Sequence, residues 1–118
     1  MLALLPAVAA AEPRAALLLR YESEEQLLQL AKEGPTVLFF FAGWCPYCQE
    51  AARDFSTKWE EVKPGIALVV ADYDKQTALK AKYGVTYQDT YVQIGADGKR
   101  LKIWNGGSIA GLNRNTIS

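Results

Sequence analysis

The chain has 118 residues, half of them hydrophobic, which suits one domain with enough apolar side chains for a real core. Thirteen Lys and Arg balance thirteen Asp and Glu, so the formal net charge is zero and nothing in the composition offers a basic surface to nucleic acid. There is no histidine, which removes imidazole general-base catalysis, Ser-His and Cys-His pairs and the usual zinc ligand sets.

Residues 1–11 (MLALLPAVAAA) are apolar and rich in small residues, and the polar Glu12-Pro13-Arg14 follows directly. Ala7-Val8-Ala9 and Ala9-Ala10-Ala11 both have the small-x-small spacing that precedes signal-peptide cleavage, although no Lys or Arg lies ahead of the run. The stretch is too short to span a membrane and has no cysteine at its end for lipid attachment. Two readings stand. One is a signal-peptide remnant, which places the protein in the periplasm or elsewhere outside the cytoplasm. The other is a disordered or strand-leading extension of a cytoplasmic protein. On either reading residues 1–14 are set apart and 15–118 form the domain.

Ala15 to Arg20 predicts a short edge strand. Ser23 then opens a helix, with Gln26 at capping-box spacing, Leu27, Leu30 and Ala31 on one face, and Gly34-Pro35 as the stop. The acidic Glu22, Glu24 and Glu25 suit a solvated helix start, where they favour the dipole. Thr36 to Phe41 (TVLFFF) is a continuous apolar run between turn residues, the pattern of a central strand buried on both faces. After it, Cys48, Ala52, Phe55, Trp59 and Val62 recur at near-helical spacing, predicting a helix that runs to Pro64-Gly65. Ile66 to Ala71 reads as a second buried strand, and Asp74 as the cap of a short helix from Lys75 to Tyr83 that ends at Gly84. Tyr91 to Ile94 and Arg100 to Trp104 flank Ala96-Asp97-Gly98-Lys99, where Asp-Gly is a strong hairpin signal. Gly106-Gly107 to Ser118 leaves room for one short helix with a polar tip. Strands alternating with helices and closing on a hairpin predict an α/β fold. Its mixed central sheet is parallel first and ends in an antiparallel C-terminal hairpin, with helices on both faces.

The only two cysteines, Cys45 and Cys48, sit at i and i+3 where a buried strand passes into a helix. Side chains at that spacing are close enough to bridge, and the unpaired N–H groups and positive dipole end of the first helical turn stabilise a thiolate. Cys45 is the expected nucleophile, with its sulfur exposed. Cys48, one turn further and on the apolar stripe, is the expected resolving thiol. Pro46 suits the first turn because its missing N–H has no partner there anyway, and Tyr47 adds bulk beside the reactive sulfur. Trp44 is either a packing aromatic or a shield lining the dithiol. A C-x-x-C pair is also half a zinc site, but no other Cys and no His is present to complete one. Asp72 and Asp74 are accounted for by the helix cap and a solvated loop end. Tyr83, Tyr87 and Tyr91 either line a substrate groove or pack in core and surface.

The segment FFFAGWCPYCQ with its helix, the strand ending in Asp72-Tyr73-Asp74, and Lys82-Tyr83-Gly84-Val85 together resemble the thioredoxin superfamily, from about Ser23 to Trp104. The resemblance implies a thioredoxin-like three-layer sandwich and disulfide exchange through a mixed disulfide, with Cys45 attacking and Cys48 resolving. It implies protein thiols and disulfides as substrates, a redox partner protein, a monomer, and no cofactor beyond the cysteine pair. Cys-Pro-Tyr-Cys is similar to the tetrapeptide of glutaredoxins, whereas Ala42-Gly43-Trp44 and the order of elements look more like thioredoxins and their exported relatives, which we favour. Three positions depart from the pattern. Phe39 stands where the family has a buried carboxylate, so the Cys48 proton must leave by water or another group. Asp89 stands where the family has a cis-proline, and the Gln88–Asp89 bond is expected to be trans because a non-proline cis peptide costs about 3 kcal/mol. The Thr-Val-Pro turn of glutaredoxins is absent, so glutathione dependence is not expected. Asp89 itself tunes Cys45, relays a proton, joins the two thiolates in holding a metal, or is a solvated loop carboxylate. The alternative function is therefore a protein that holds a metal or iron-sulfur cluster between chains through Cys45 and Cys48, with or without Asp89.

Overall fold

Nine elements follow the chain in the order β1 (Leu17–Arg20), α1 (Glu24–Glu33), β2 (Thr36–Phe41), α2 (Pro46–Thr57), β3 (Ala67–Asp72), α3 (Thr77–Tyr83), β4 (Thr90–Ile94), β5 (Arg100–Asn105) and α4 (Ser108–Asn115). They come from a computed structural model that describes residues 13–118. The apolar run at 1–11, and the signal-peptide reading of it, lie outside the described residues.

The sheet order is β1-β3-β2-β4-β5. β1 and β2 both run parallel to β3, β4 is antiparallel to β2, and β5 is antiparallel to β4. This is the α/β three-layer arrangement that the sequence implies. β2 takes the centre because its side chains are apolar on both faces, and the period of two divides them. Val37 and Phe39 face the layer of α2 and α4, where they meet Cys48, Phe55 and Leu112. Leu38 and Phe40 face the layer of α1 and α3, against Leu27, Leu79 and Tyr83. Burying each such side chain fully contributes roughly 1.5–3 kcal/mol, so the sheet's middle is the most strongly held part of the fold.

The predicted punctuation recurs with adjustments. Ser23 Oγ accepts the Gln26 N–H at 3.1 Å, but the Gln26 side chain reaches past Ser23 to accept from the Glu22 N–H at 2.8 Å, a capping box displaced by one residue. Gly84 ends α3 in the left-handed region at φ 73°. Between β4 and β5 the Gly95 N–H donates to Lys99 O at 2.8 Å, with Gly98 at φ 82°.

Two expected boundaries are corrected. The second helix ends at Thr57, well short of Pro64. Lys58 leaves helical geometry at φ −132°, and a single 3-10 turn at Trp59–Glu61 turns Trp59 back so that its indole N–H donates to Ala16 O at 3.1 Å. On α2 the residue facing the core after Cys48 is Ala51, with Ala52 only half-buried, because Cys48, Ala51 and Phe55 make the i, i+3, i+7 stripe. The third helix begins at Thr77, and Asp74 does not cap it. Asp72 Oδ1 accepts the N–H groups of Asp74 at 2.9 Å and Lys75 at 3.1 Å, which leaves the Asp74 carboxylate free for another partner.

Arg14, set by the sequence in the N-terminal extension, is bonded into the domain. Its guanidinium donates to Gly65 O, Leu30 O and Pro35 O, each at 3.0 Å.

Candidate active site

The end of β2 delivers the chain into Ala42-Gly43-Trp44, and Cys45 becomes the N-cap of α2 at φ −92°, ψ 117°. Its N–H donates to Ala42 O at 3.1 Å, and its Sγ accepts the Cys48 N–H at 3.1 Å. A sulfur thus sits where a Ser or Asp oxygen caps an ordinary helix. Pro46 follows at the start of α2, where no N–H is required. The Gln49 side-chain amide closes the loop by donating to Gly43 O.

Both cysteines are free thiols and both are fully buried. For Cys45 this corrects the expectation of an exposed sulfur. The Sγ is turned back onto its own helix end and lies in the apolar cluster with Ala42, Phe39 and Tyr91, while its neighbours Trp44 and Tyr47 are 58% and 71% exposed. An incoming disulfide therefore needs local opening around Cys45. For Cys48, burial first and the hydrogen bond with Cys45 second push the thiol up to about 12, and the negative charge of Asp89 adds to this.

Trp44 is neither a core aromatic nor loose. Its indole N–H donates to Asp74 Oδ2 at 2.9 Å, and its ring stands edge-on to Tyr73 with centroids 6.4 Å apart. The carboxylate released from helix capping is the one that holds Trp44 beside the motif.

Asp89 is not a solvated loop carboxylate. It is 8% exposed, its Oδ1 is buried without a hydrogen-bond partner, and its backbone sits at φ 60°. Among the described residues no peptide bond is cis, so the Gln88–Asp89 bond is trans as expected. The Asp89 N–H donates to Phe40 O at 3.0 Å and its carbonyl accepts from the Gly106 N–H at 2.9 Å, which fixes the segment between β2 and the start of α4. Burial, and then the charge of Glu50, hold the Asp89 carboxyl above the usual carboxylate range. A cleft of about 430 Å³ opens here between α2 and the β5–α4 turn, lined by Tyr47, Glu50, Asp54, Asp89, Gly106 and Ser108.

Behind the dithiol, where the resemblance expects a carboxylate, Phe39 stacks on Tyr91 with centroids 4.7 Å apart, and Tyr91 stacks on Trp104 at 5.6 Å. The Tyr91 hydroxyl and the Trp104 indole N–H are buried without partners. Sequence reasoning did not single out Trp104. The available signal was the alternation along β5, which puts residue 104 on the inner face with Lys102. Tyr83, Tyr87 and Tyr91 do not form one groove. Tyr83 is buried in the other layer with its hydroxyl donating to Gly98 O at 2.9 Å, Tyr87 is exposed, and Tyr91 is in the core beside Cys48.

Among the described residues no three or more His, Cys, Asp or Glu side chains are gathered so as to hold a metal ion. Cys45, Cys48 and Asp89 are thus not gathered as a three-ligand set within the chain. Nor is any helix among the described residues long and apolar enough to cross a membrane.

Comparison with known proteins agrees with this geometry. The family model described as Thioredoxin matches residues 18–115. The reduced thioredoxin pre-protein of Schistosoma mansoni superposes with a TM-score of 0.67 at 28% identity, covering 83% of this chain and 93% of that one. The thioredoxin of Fasciola hepatica gives a TM-score of 0.59 at 32% identity, covering 70% of this chain and 77% of the other. A protein disulfide isomerase-like 2-3 of Oryza sativa subsp. japonica is 27% identical over 99 residues, which is 84% of this chain but 22% of the length of that relative.

Proposed function

The chain belongs to the thioredoxin family of thiol-disulfide oxidoreductases, and from that premise we propose that it reduces or exchanges disulfides in protein substrates, with Cys45 attacking and Cys48 resolving. The observation that carries the reading is the pair of free thiols at the N-terminus of α2, with Cys45 Sγ accepting the Cys48 N–H at 3.1 Å. The N–H and the positive end of the helix dipole thus both meet the Cys45 sulfur, the atom that attacks in thiol-disulfide exchange.

The thiolate attacks one sulfur of the substrate disulfide. A mixed disulfide forms and the other substrate sulfur leaves as a thiolate that takes up a proton. Cys48, once deprotonated, attacks Cys45 Sγ, which closes the Cys45–Cys48 disulfide and expels the second substrate thiol. Two electrons pass from the dithiol to the substrate, and a dithiol partner protein returns them. The cysteine pair is the redox centre, so no dissociable cofactor enters the reaction.

Insulin reduction in the presence of dithiothreitol tests this. The wild-type protein should accelerate it, Cys45→Ser should lose the acceleration, and Cys48→Ser should accumulate a mixed disulfide detectable by mass. A wild-type rate equal to dithiothreitol alone, or an active Cys45→Ser, defeats the reading. The small-x-small spacing at Ala7-Val8-Ala9 and Ala9-Ala10-Ala11 supports an extracytoplasmic location. Intact mass after expression in an exporting host tests it: removal of the residues up to Ala9 or Ala11 is expected, and an uncleaved chain counts against export.

A further inference from the structure

Cys48 can attack the mixed disulfide only as a thiolate, yet its side chain has no exposed surface from which to lose a proton to bulk water. In the closed site the acceptor at hand is a group inside the protein. β2 cannot supply it, because Phe39 fills that place with an aromatic ring stacked on Tyr91. In the sheet register Phe39 pairs with Tyr91, which lies in the layer that holds Cys45 and Cys48, and Asp89, just before β4, lines the cleft beside that layer together with Tyr47 and Ala51 of the helix that carries Cys48.

Two oxygens on that side lack partners. Asp89 Oδ1 and the Tyr91 hydroxyl are both buried and both without a hydrogen bond. One is an acceptor when ionised and the other is a donor, and each is costly to leave unpaired. Asp89 is further held in a left-handed backbone that a non-glycine residue adopts at a cost. Strained backbone clusters at active sites, and a buried polar group without a partner calls for an explanation, a redox or catalytic role among them. The other carboxylates that line the cleft are less suited. Glu50 is exposed, and Asp54 accepts from Ser108 Oγ at 2.9 Å.

We propose that Asp89 is the proton acceptor for Cys48 when the mixed disulfide is resolved. This rests on the exchange reading above. In the step, the Cys48 S–H proton passes to the Asp89 carboxylate, the Cys48 thiolate attacks Cys45 Sγ, the Cys45–substrate bond breaks, and the departing substrate thiolate takes a proton from Asp89 or from water. The charges that bear on the cluster are acidic and all favour holding a proton inside it: Glu50 faces Asp89, Asp54 faces Tyr91, and Asp89 faces both Cys48 and Tyr91.

The test separates the two chemical steps. Reduced protein is mixed with 5,5′-dithiobis(2-nitrobenzoate) under single-turnover conditions, and the two successive releases of thionitrobenzoate report attack by Cys45 and resolution by Cys48. In the wild type the resolution rate should fall as pH drops through the Asp89 titration. In Asp89→Asn, which keeps the left-handed backbone, that limb should vanish and resolution at neutral pH should slow by about tenfold or more. The loss should shrink as pH rises far enough for Cys48 to ionise unaided. A wild-type profile with no such limb overturns the proposal, as does an Asp89→Asn protein whose two releases slow together with unchanged pH dependence, which marks a structural role. Should the wild type show no first release at all, the exchange reading itself fails.

Discussion

The backbone N–H of Asp89 donates to Phe40 O at 3.0 Å while Asp89 holds φ at 60°. Proline can do neither, since its ring fixes φ near −65° and it has no N–H. The residue that the family carries at this position therefore cannot be restored here by one substitution. Asp89→Pro is expected to lower stability by about 3 kcal/mol or more, whereas Asp89→Asn, a residue that tolerates the left-handed region, keeps both the φ and the hydrogen bond. Urea unfolding followed by tryptophan fluorescence checks this, and a proline variant as stable as wild type would show that the 86–89 segment has a second backbone arrangement of equal energy.

The same carboxylate makes a signed prediction about pH. Burial and Glu50 raise the Asp89 carboxyl above its unfolded value of 3.8. The contribution of such a group is fully present below the unfolded value and is lost as pH rises through the folded one. Ionised Asp89 thus weighs against folding at neutral pH, and Asp89→Asn should be the more stable protein at pH 7 and should lose that advantage as pH falls toward 3.8. Unfolding midpoints of the two proteins across that range decide it, and curves that stay parallel count against a raised carboxyl.

Much of this site is legible in the sequence because its determinants are local. TVLFFF needs no partner to declare itself a central strand, and Pro46 after Cys45 declares a helix start. What was not readable depends on distant groups. Whether Asp72 or Asp74 turns into the bend after β3 is settled partly by Trp44, which claims the Asp74 carboxylate from 30 residues away. Burial of Cys45 follows from how the helix end packs against Phe39 and Tyr91, and not from the motif itself. Asp89 could be located by resemblance, but its burial comes from two backbone bonds to Phe40 and Gly106, which no spacing rule foretells.

Arg14 is another group whose role lies in long-range bonds. Its guanidinium links the turn before β3 at Gly65, the last turn of α1 at Leu30 and the entry to β2 at Pro35. Gly34 leaves the room for it, since a Cβ there would stand 3.3 Å from the guanidinium. The ion pair with Glu33 at 3.7 Å adds little because Glu33 is half exposed. Arg14→Ala should cost about 2–4 kcal/mol through the lost charged hydrogen bonds. Arg14→Lys should recover less than half of that, because one ammonium cannot span three carbonyls. Chemical denaturation of the three proteins measures both steps, and a lysine variant matching wild type would mean that charge, not the planar fork, holds the clasp.

Cys48 gives the corresponding prediction at alkaline pH. Its thiol is pushed up to about 12 from a reference value of 9.0, by burial first and then by the hydrogen bond with Cys45. The folded dithiol therefore keeps a proton that the unfolded chain gives up, and this source of stability is complete below pH 9.0 and is lost as pH rises toward 12. Between pH 8 and 10 the loss from this one group should reach about 1.4 kcal/mol. Tyr21, Tyr83 and Tyr91 are also raised and lose stability in alkali, so wild type alone cannot isolate the thiol. Cys48→Ala can, because it keeps the tyrosines and lacks the titrating sulfur. Any cavity it leaves shifts its stability by an amount independent of pH. The gap between reduced wild type and Cys48→Ala should narrow by about 1.4 kcal/mol from pH 8 to 10. A gap that stays constant over that range would place the Cys48 proton in water rather than in a buried site, and would remove the need for an internal acceptor.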